Sequence, residues 1–397
     1  MKCNETCKLF GAYQVLSGIK DNVVLIHSVV GCHFATMMHS FHTEQNTLNS
    51  CSTVINDKDI IFNGEKSLEY AINEVINLYN PKSISILTGC VAEIIKDDIN
   101  AVIASINSEV KINHFDGTGF LGNFESGYEE ALLKLAKKNI LAKTNSINIL
   151  GCLKDDYKLK EDILEIKRIL EPEVTINCVI GDCTLEEIQS LTRAKLNIVF
   201  NRGLDLAKYM EKEFSIPYVV CDFPYGIEKS KEFLSTLETF FCVDYAWKKE
   251  ELETYVLDNL KKVYMYLKEF YHLPVGIYMS KARCHGFEHF LGEELGMNPI
   301  SEHRNQCSYE DFVMKFGPMK PAIVFGSTFE TGMADELNAP LFPIEYPVLN
   351  RVSIGNMPYA MGIGAVNIVN DIINTMMILK YSEDKGAFYN EKNMYLW

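Results

Sequence analysis

The sequence predicts an α/β fold of parallel sheets flanked by helices, and three observations carry that prediction. Short apolar runs rich in β-branched residues recur along the 397 residues and end in Gly, Asp or Cys; they are too short for helices and read as strands. Between them lie longer stretches whose apolar residues fall at i, i+3, i+4 spacing, the mark of a helix with one buried face. The two kinds alternate, and strand–helix–strand order implies parallel pairing with right-handed crossovers. Sustained over this length, the alternation makes three stacked α/β domains of the Rossmann-like or flavodoxin-like kind.

In chain order, strands are expected at Val23–Ile26, Ser83–Thr88, Ser146–Leu150, Thr175–Ile180, Leu196–Phe200, Tyr218–Cys221, Pro274–Met279 and Ala322–Phe325. Leu68, Ala71, Ile72, Val75, Ile76 and Tyr79 share one helical face. Further helices are expected at Asn123–Lys138, Leu159–Leu170, Leu185–Leu191, Leu204–Phe214, Glu250–Phe270 and Gly364–Leu379. The last is apolar on much of its surface and is expected to be buried. The polar stretch Ala142–Asn145 and the mixed-charge helix after Lys248 read as boundaries, which divides the chain into 1–142, 143–245 and 246–397, the third opening with a linking helix.

With 53 acidic against 38 basic side chains, the net charge is −15. A phosphate-backbone binder needs a basic face, so nucleic acid is not an expected partner. Hydrophobic residues at 47% and charged residues at 23% place the chain among folded globular proteins. No apolar run approaches the roughly 18–20 residues that span a bilayer, and the start, MKCNETCKLFG, has no apolar core of a secretion signal. No membrane association and a cytoplasmic location are therefore expected. In a reducing compartment the 12 cysteines serve as buried small hydrophobes, metal ligands or reactive thiols rather than disulfides.

Three of them sit where an α/β protein places its chemistry. Cys7 stands just before a helix-like segment. Cys32 follows the run Val23–Val30 and Gly31, and Cys90 follows Ser83–Thr88 and Gly89. Functional residues of open parallel sheets lie beyond the carboxyl ends of the strands, thiolates are soft ligands for iron–sulfur clusters and zinc, and a preceding Gly lets the backbone come close to a bulky group. There is no Cys-x-x-Cys pair, and on spacing alone three ordinary buried cysteines remain an open alternative.

The surrounding segments narrow that choice. His27-x-x-x-Gly31-Cys32, Asp59-Ile-Ile-Phe-Asn-Gly-Glu-Lys66, Thr88-Gly-Cys90-Val-Ala-Glu93 with Asp97-Asp98, Phe115-Asp-Gly-Thr118-Gly, Leu295-Gly-Met-Asn-Pro299, Pro340 through Pro347 to Arg351, and Gly362-Ile-Gly-Ala-Val-Asn367 occur in that order. Together they resemble the component 1 proteins of nitrogenase, a superfamily that includes the dark-operative tetrapyrrole reductases. Cys90-x-x-Glu93 and Pro343-x-x-x-Pro347-x-x-x-Arg351 look more like the β-type than the α-type subunit. The resemblance implies an oxidoreductase component in which Cys7, Cys32 and Cys90 hold an iron–sulfur cluster at a subunit interface, either a [4Fe-4S] cluster or an [8Fe-7S] P-cluster. It also implies an α-type partner or self-pairing, and an ATP-dependent iron–sulfur reductase as electron donor. The alternatives are a scaffold for metallocluster assembly and a tetrapyrrole-reductase-like component. Thr118 falls near a serine that β-type subunits carry beside the cluster.

Departures matter too. Ser28 replaces the Gly that usually follows the His27 equivalent, Lys96 the Gly before the paired aspartates, and Asn63 the first Gly of a Gly-Gly pair. Phe200 and Asn201 occupy the place of the α-type cysteine that ligates the active-site cofactor, and no His follows Glu345-Tyr-Pro347. Binding of an iron–molybdenum-type cofactor by this chain alone is therefore not expected. Among the other candidates, Cys3 is an outside fourth ligand, while Cys152 and Cys183 are expected to be buried. His33, His39 and His42 on one helix, and His285 with His289, are expected to be hydrogen-bonded rather than metal-bound. The absence of G-x-x-x-x-G-K-[ST] and of an early G-x-G-x-x-G places any nucleotide hydrolysis on another protein.

Overall fold

A computed structural model describes residues 7–40, 50–136, 140–304 and 307–384, with the side chains of 378–384 outside that description. It contains three four-stranded parallel sheets flanked by helices. The first is built from β1 (Asn22–His27), β2 (Ser50–Ser52), β3 (Ser83–Thr88) and β4 (Lys111–Asp116), in the order β2-β1-β3-β4. The second uses β5 (Ser146–Leu150), β6 (Thr175–Val179), β7 (Leu196–Val199) and β8 (Tyr218–Val220), in the order β6-β5-β7-β8. The third uses β9 (Pro274–Met279), β10 (Asn298–His303), β11 (Ile323–Gly326) and β12 (Leu341–Pro343), in the order β10-β9-β11-β12. All three follow one scheme: the first strand has the second on one side and the third on the other. The strand order reverses between first and third strands, and the crevice at that point is where such sheets bind ligands.

All the expected strands form, within a residue or so of their expected ends. Four strands were not expected, namely β2, β4, β10 and β12, and each is an outer strand of its sheet. The inner strands β1 and β3 are buried along their whole length and so read as continuous apolar runs. Outer strands such as Lys-Ile-Asn-His-Phe-Asp of β4 are largely half-exposed, and their polar residues hide the pattern. The helix expected over Glu250–Phe270 runs Ala246–Lys262 and then breaks into two short turns. The helix expected to Lys138 is Phe124–Leu135; residues 137–139 lie outside the described residues.

The chain divides into two compact units, one of residues 1–160 and 170–221, the other of 161–169 and 222–397. In the first, Val23, Leu25, Ile84 and Ile86 of the sheet pack with Leu68, Ile72 and Val75 of the helix Glu65–Tyr79. In the second, Tyr278 and Val324 pack with Phe312 and Phe316, whose rings stack at 3.9 Å.

The helix Lys8–Ser17 is buried along its entire length. It reaches that depth through two bare glycines. A Cβ on Gly11 would stand 1.8 Å from the Phe124 carbonyl oxygen, and one on Gly127 would stand 2.0 Å from the Lys8 carbonyl oxygen. Both contacts are with backbone and cannot yield to a rotamer change. Gly127→Ala should therefore cost about 1–3 kcal/mol or more, seen as an earlier thermal transition of the first unit, with Gly122→Ala, whose nearest neighbour is the movable Ser126 hydroxyl, shifting it less.

In the second unit Asp162 is fully buried and accepts hydrogen bonds from the Tyr359 and Ala360 N–H groups at 2.5 and 2.8 Å. Burial pushes its carboxyl up to about 7 against the opposing pull of Arg283 and those two donors. Between the ordinary carboxyl range and pH 7 the folded chain thus holds a proton that the unfolded chain has lost, and stability falls as pH rises through that window. Asp162→Asn keeps an acceptor without the charge. Denaturant midpoints at pH 4.5 and 7.5 should show a smaller pH-dependent loss in the variant than in the wild type, and equal losses would refute this account.

Candidate functional site

β1 and β3 pair in register, with His27 opposite Thr88. Each strand then turns into a helix at the same edge: Val30–Ser40 carries Cys32, and Cys90–Ile95 opens with Cys90. Cys7 sits at the N-terminal cap of Lys8–Ser17. The loop after β4 closes the group: a Cβ on Gly119 would lie 3.2 Å from the Cys7 sulfur and 3.5 Å from the Cys90 sulfur. The three thiols are half-buried. Burial raises the Cys7 pKa, and the nearby Cys90 and Cys32 raise it further, while the Leu9 and Phe10 N–H groups oppose them. Cys7 thus feels both other thiols, and the three predicted residues come together.

Two of the sulfurs have hydrogen-bond donors. The Gly119 N–H reaches the Cys90 sulfur at 3.2 Å, and the Ser28 hydroxyl reaches the Cys32 sulfur at 3.2 Å; the Cys7 side chain takes no hydrogen bond at its helix cap. Gly119 was not singled out in the sequence, and Thr118-Gly119 after a Phe-Asp strand end is the signal that pointed near it. Thr118 itself is turned away: its N–H and hydroxyl both donate to Asp116. Gly89 does not bare the backbone towards a cofactor; the missing side chain makes room for Ser28, whose oxygen lies 2.3 Å from where a Cβ would be. Gly31 does face open space.

Beside the thiol-bearing segments lie a histidine–carboxylate hydrogen bond and a lysine ion pair. His27, shut off from solvent, meets the Asp97 carboxylate through Nε2 at 2.9 Å and the Thr53 hydroxyl through Nδ1 at 2.9 Å. A carboxylate only accepts, so Nε2 carries the proton and Nδ1 accepts from Thr53. Burial lowers the His27 pKa against the pull of Asp97, which keeps a neutral ring there. Asp97 also accepts from the Gly64 N–H at 2.8 Å. Lys8, next to Cys7, pairs with Asp116 at 2.8 Å and Glu130 at 2.7 Å. Burial works to lower the Lys8 pKa, but the two carboxylates carry it above the usual lysine value.

The remaining candidates resolve differently. Cys152, Cys178, Cys183 and Cys284 are buried, and Cys178 is hydrogen-bonded to Cys183. His285 pairs with Asp222 and His289 with Glu228, both at 2.7 Å. His39 packs on the Phe10 ring. Cys3 and His42 lie outside the described residues.

Among the described residues, no three His, Cys, Asp or Glu side chains gather tightly enough for a single metal ion. Cys7 and Cys90 flank bare Gly119, and soft thiolate donors of this kind suit an iron–sulfur cluster. Among the described residues, too, no helix is long and apolar enough to cross a membrane.

The first sheet thus brings its thiol-bearing turns to the strand-order switch of a parallel α/β fold. Residues 7–306 match the family described as nitrogenase component 1 type oxidoreductase, and the chain belongs to that family, one of iron–sulfur proteins. It is 34% identical over 271 residues to the nitrogenase iron–molybdenum cofactor biosynthesis protein NifE of Clostridium pasteurianum, covering 65% of this chain and 58% of that protein. It is 32% identical to the nitrogenase molybdenum–iron protein alpha chain of the same organism, covering 55% and 44%. The nitrogenase iron–iron protein beta chain of Rhodobacter capsulatus is 26% identical, covering 58% and 57%. The chain spans between 44% and 61% of the length of the first four such relatives. Among solved structures, nitrogenase Cp1 at pH 6.5 superposes with a TM-score of 0.79 at 18% identity, covering 99% of this chain and 96% of that one.

Exposure sets an order of reactivity. In the metal-free native chain, iodoacetamide should label Cys7, Cys32 and Cys90 well before Cys152, Cys178, Cys183 and Cys284, as read by peptide mass spectrometry over time; equal rates would contradict the half-open site.

Proposed function

We propose that this chain is a β-type subunit of a nitrogenase-like two-component reductase, holding an iron–sulfur cluster through Cys7, Cys32 and Cys90. The single observation that carries the reading is the convergence of these three thiols at the switch point of the first sheet. When bound, such a cluster supplies one-electron relay chemistry, in this reading between an ATP-dependent iron–sulfur reductase and a substrate site. The protein residues do the rest. The three thiols, deprotonated, supply the ligands; Gly119 and Ser28 donate to two of the sulfurs; and Lys8 with Asp116 anchors the helix start that presents Cys7.

Three ligands leave a [4Fe-4S] cluster one short, and an [8Fe-7S] cluster shorter still. We therefore place the cluster at an interface with an α-type partner or a second copy of the chain. The surface supports this: Val30 and Phe34 beside Cys32, Ile94 beside Cys90, and Phe120 and Leu121 beside Gly119 are each more than half exposed. An apolar rim beside Cys32, Cys90 and Gly119 is what a partner would cover. Eleven free thiols among the described residues support a cytoplasmic setting, and we retain the domain limits 1–142, 143–245 and 246–397.

A second reading, a scaffold for metallocluster assembly, is favoured by the 34% identity to a cofactor biosynthesis protein; a tetrapyrrole-reductase-like component shares the same cluster site. Anaerobic purification with the natural partner decides whether the site is real. The complex should carry iron and acid-labile sulfide, Cys90→Ala should lose most of both, and Cys183→Ala should lose neither. A colourless, iron-free complex would sink the proposal. ATP-dependent reduction followed by substrate turnover marks the reductase subunit, whereas transfer of the metallocluster to an acceptor without turnover marks the scaffold.

A further inference from the structure

We propose that Ser28 is a positioning residue that sets the reduction potential of the candidate cluster through a hydrogen bond to the Cys32 sulfur, and that the bare Gly89 gives it the room to do so. The inference rests on the cluster-holding reading above.

Ser28 directly follows β1 and is completely buried. Its hydroxyl donates to the Cys32 sulfur at 3.2 Å. The donor to the Cys90 sulfur is a backbone amide, that of Gly119. Ser28 is thus the side-chain donor in the set, the one that a point mutation can remove without moving the chain. A proton directed at a ligand sulfur stabilises the more negative, reduced state and raises the potential, which is how hydrogen bonds around such centres tune them.

Gly89 supplies independent geometry. Its φ of −100° and ψ of −176° suit any residue, so the backbone does not ask for glycine. In this chain Ser28 fills the space that glycine leaves. A Cβ on residue 89 would stand 2.3 Å from the Ser28 oxygen and 2.7 Å from the Ser28 Cβ, with its next neighbour, a Leu9 methyl, at an ordinary 3.5 Å. Two segments that carry cluster candidates, one leading to Cys32 and the other to Cys90, are therefore fitted to each other through this serine. The resemblance has glycine at position 28, so the donor and its fit to Gly89 belong to this chain.

The test uses the cluster-loaded complex and an anaerobic potentiometric titration followed by electron paramagnetic resonance. Ser28→Ala and Ser28→Gly should keep the wild-type iron content while the reduction equilibrium constant falls about tenfold, which is about 59 mV for a one-electron couple. Gly89→Ala should displace the hydroxyl, lower the potential in the same direction and lower the melting temperature. Adding Ser28→Gly to Gly89→Ala should recover most of that melting temperature but none of the potential. Full iron with an unchanged potential in both Ser28 variants would overturn the inference and leave the cluster reading intact. Loss of iron in both would overturn it as well, since the hydroxyl would then be needed to hold the cluster rather than tune it. A wild-type complex without iron would instead remove the cluster reading, and this inference with it.

Discussion

The in-register parallel pairing of β1 with β3 is the constraint on which the site depends. Both strands are buried throughout, so a slip of register would bring polar groups into the core and is strongly resisted. With His27 held opposite Thr88, the turns that follow leave the sheet side by side, and the cysteines they carry cannot be far apart. Chain order between them, from position 32 to 90, is irrelevant to that closeness. Strand order decides it, because β3 lies next to β1 on the side away from β2. The same scheme in the other two sheets leaves Cys152 after β5 and Ser280 after β9 at comparable edges.

Cys7 needs a different device, since it lies on no strand. The helix it caps sinks to full burial because Gly11 and Gly127 allow backbone to touch backbone. At the helix start, Lys8 is paired with Asp116 at the end of β4 and with Glu130. A buried ammonium without partners would carry a heavy desolvation cost, so this ion pair specifies where the helix begins. The position of Cys7 follows from packing at one end and electrostatics at the other.

Around the three sulfurs the structure offers donors and withholds competing ligands. Asp97 and Asp116 are occupied by His27 and Gly64 and by Lys8 and Thr118, and Glu93, on the helix that opens with Cys90, pairs with Lys96. His27, held neutral by burial and oriented by Asp97, is spoken for on both ring nitrogens. What remains facing the open side is soft sulfur with N–H and O–H groups directed at it, an environment suited to a cluster whose potential depends on such bonds.

Much of this was legible in the residues. Apolar runs identified the inner strands because burial on both faces demands them, and Cys32 and Cys90 were visible as strand-end cysteines after Gly. The outer strands β2, β4, β10 and β12 were not, since a strand with one open edge tolerates residues such as Lys111, Asn113 and His303. Sequence order also showed that Cys7 precedes a helix, but not that Gly119 would stand between Cys7 and Cys90, nor that Gly89 answers to Ser28, nor that Thr118 turns to Asp116. Except for the Thr118–Asp116 pair, those facts join residues from about 30 to over 100 positions apart. By itself, then, the sequence determined the element types, the family and the identity of the soft donors, because periodicity and side-chain chemistry are local properties. Convergence of the donors, their hydrogen bonds and the burial that raises the Cys7 pKa were decided only by the tertiary structure, because each depends on which segments the strand order and the glycine contacts bring together.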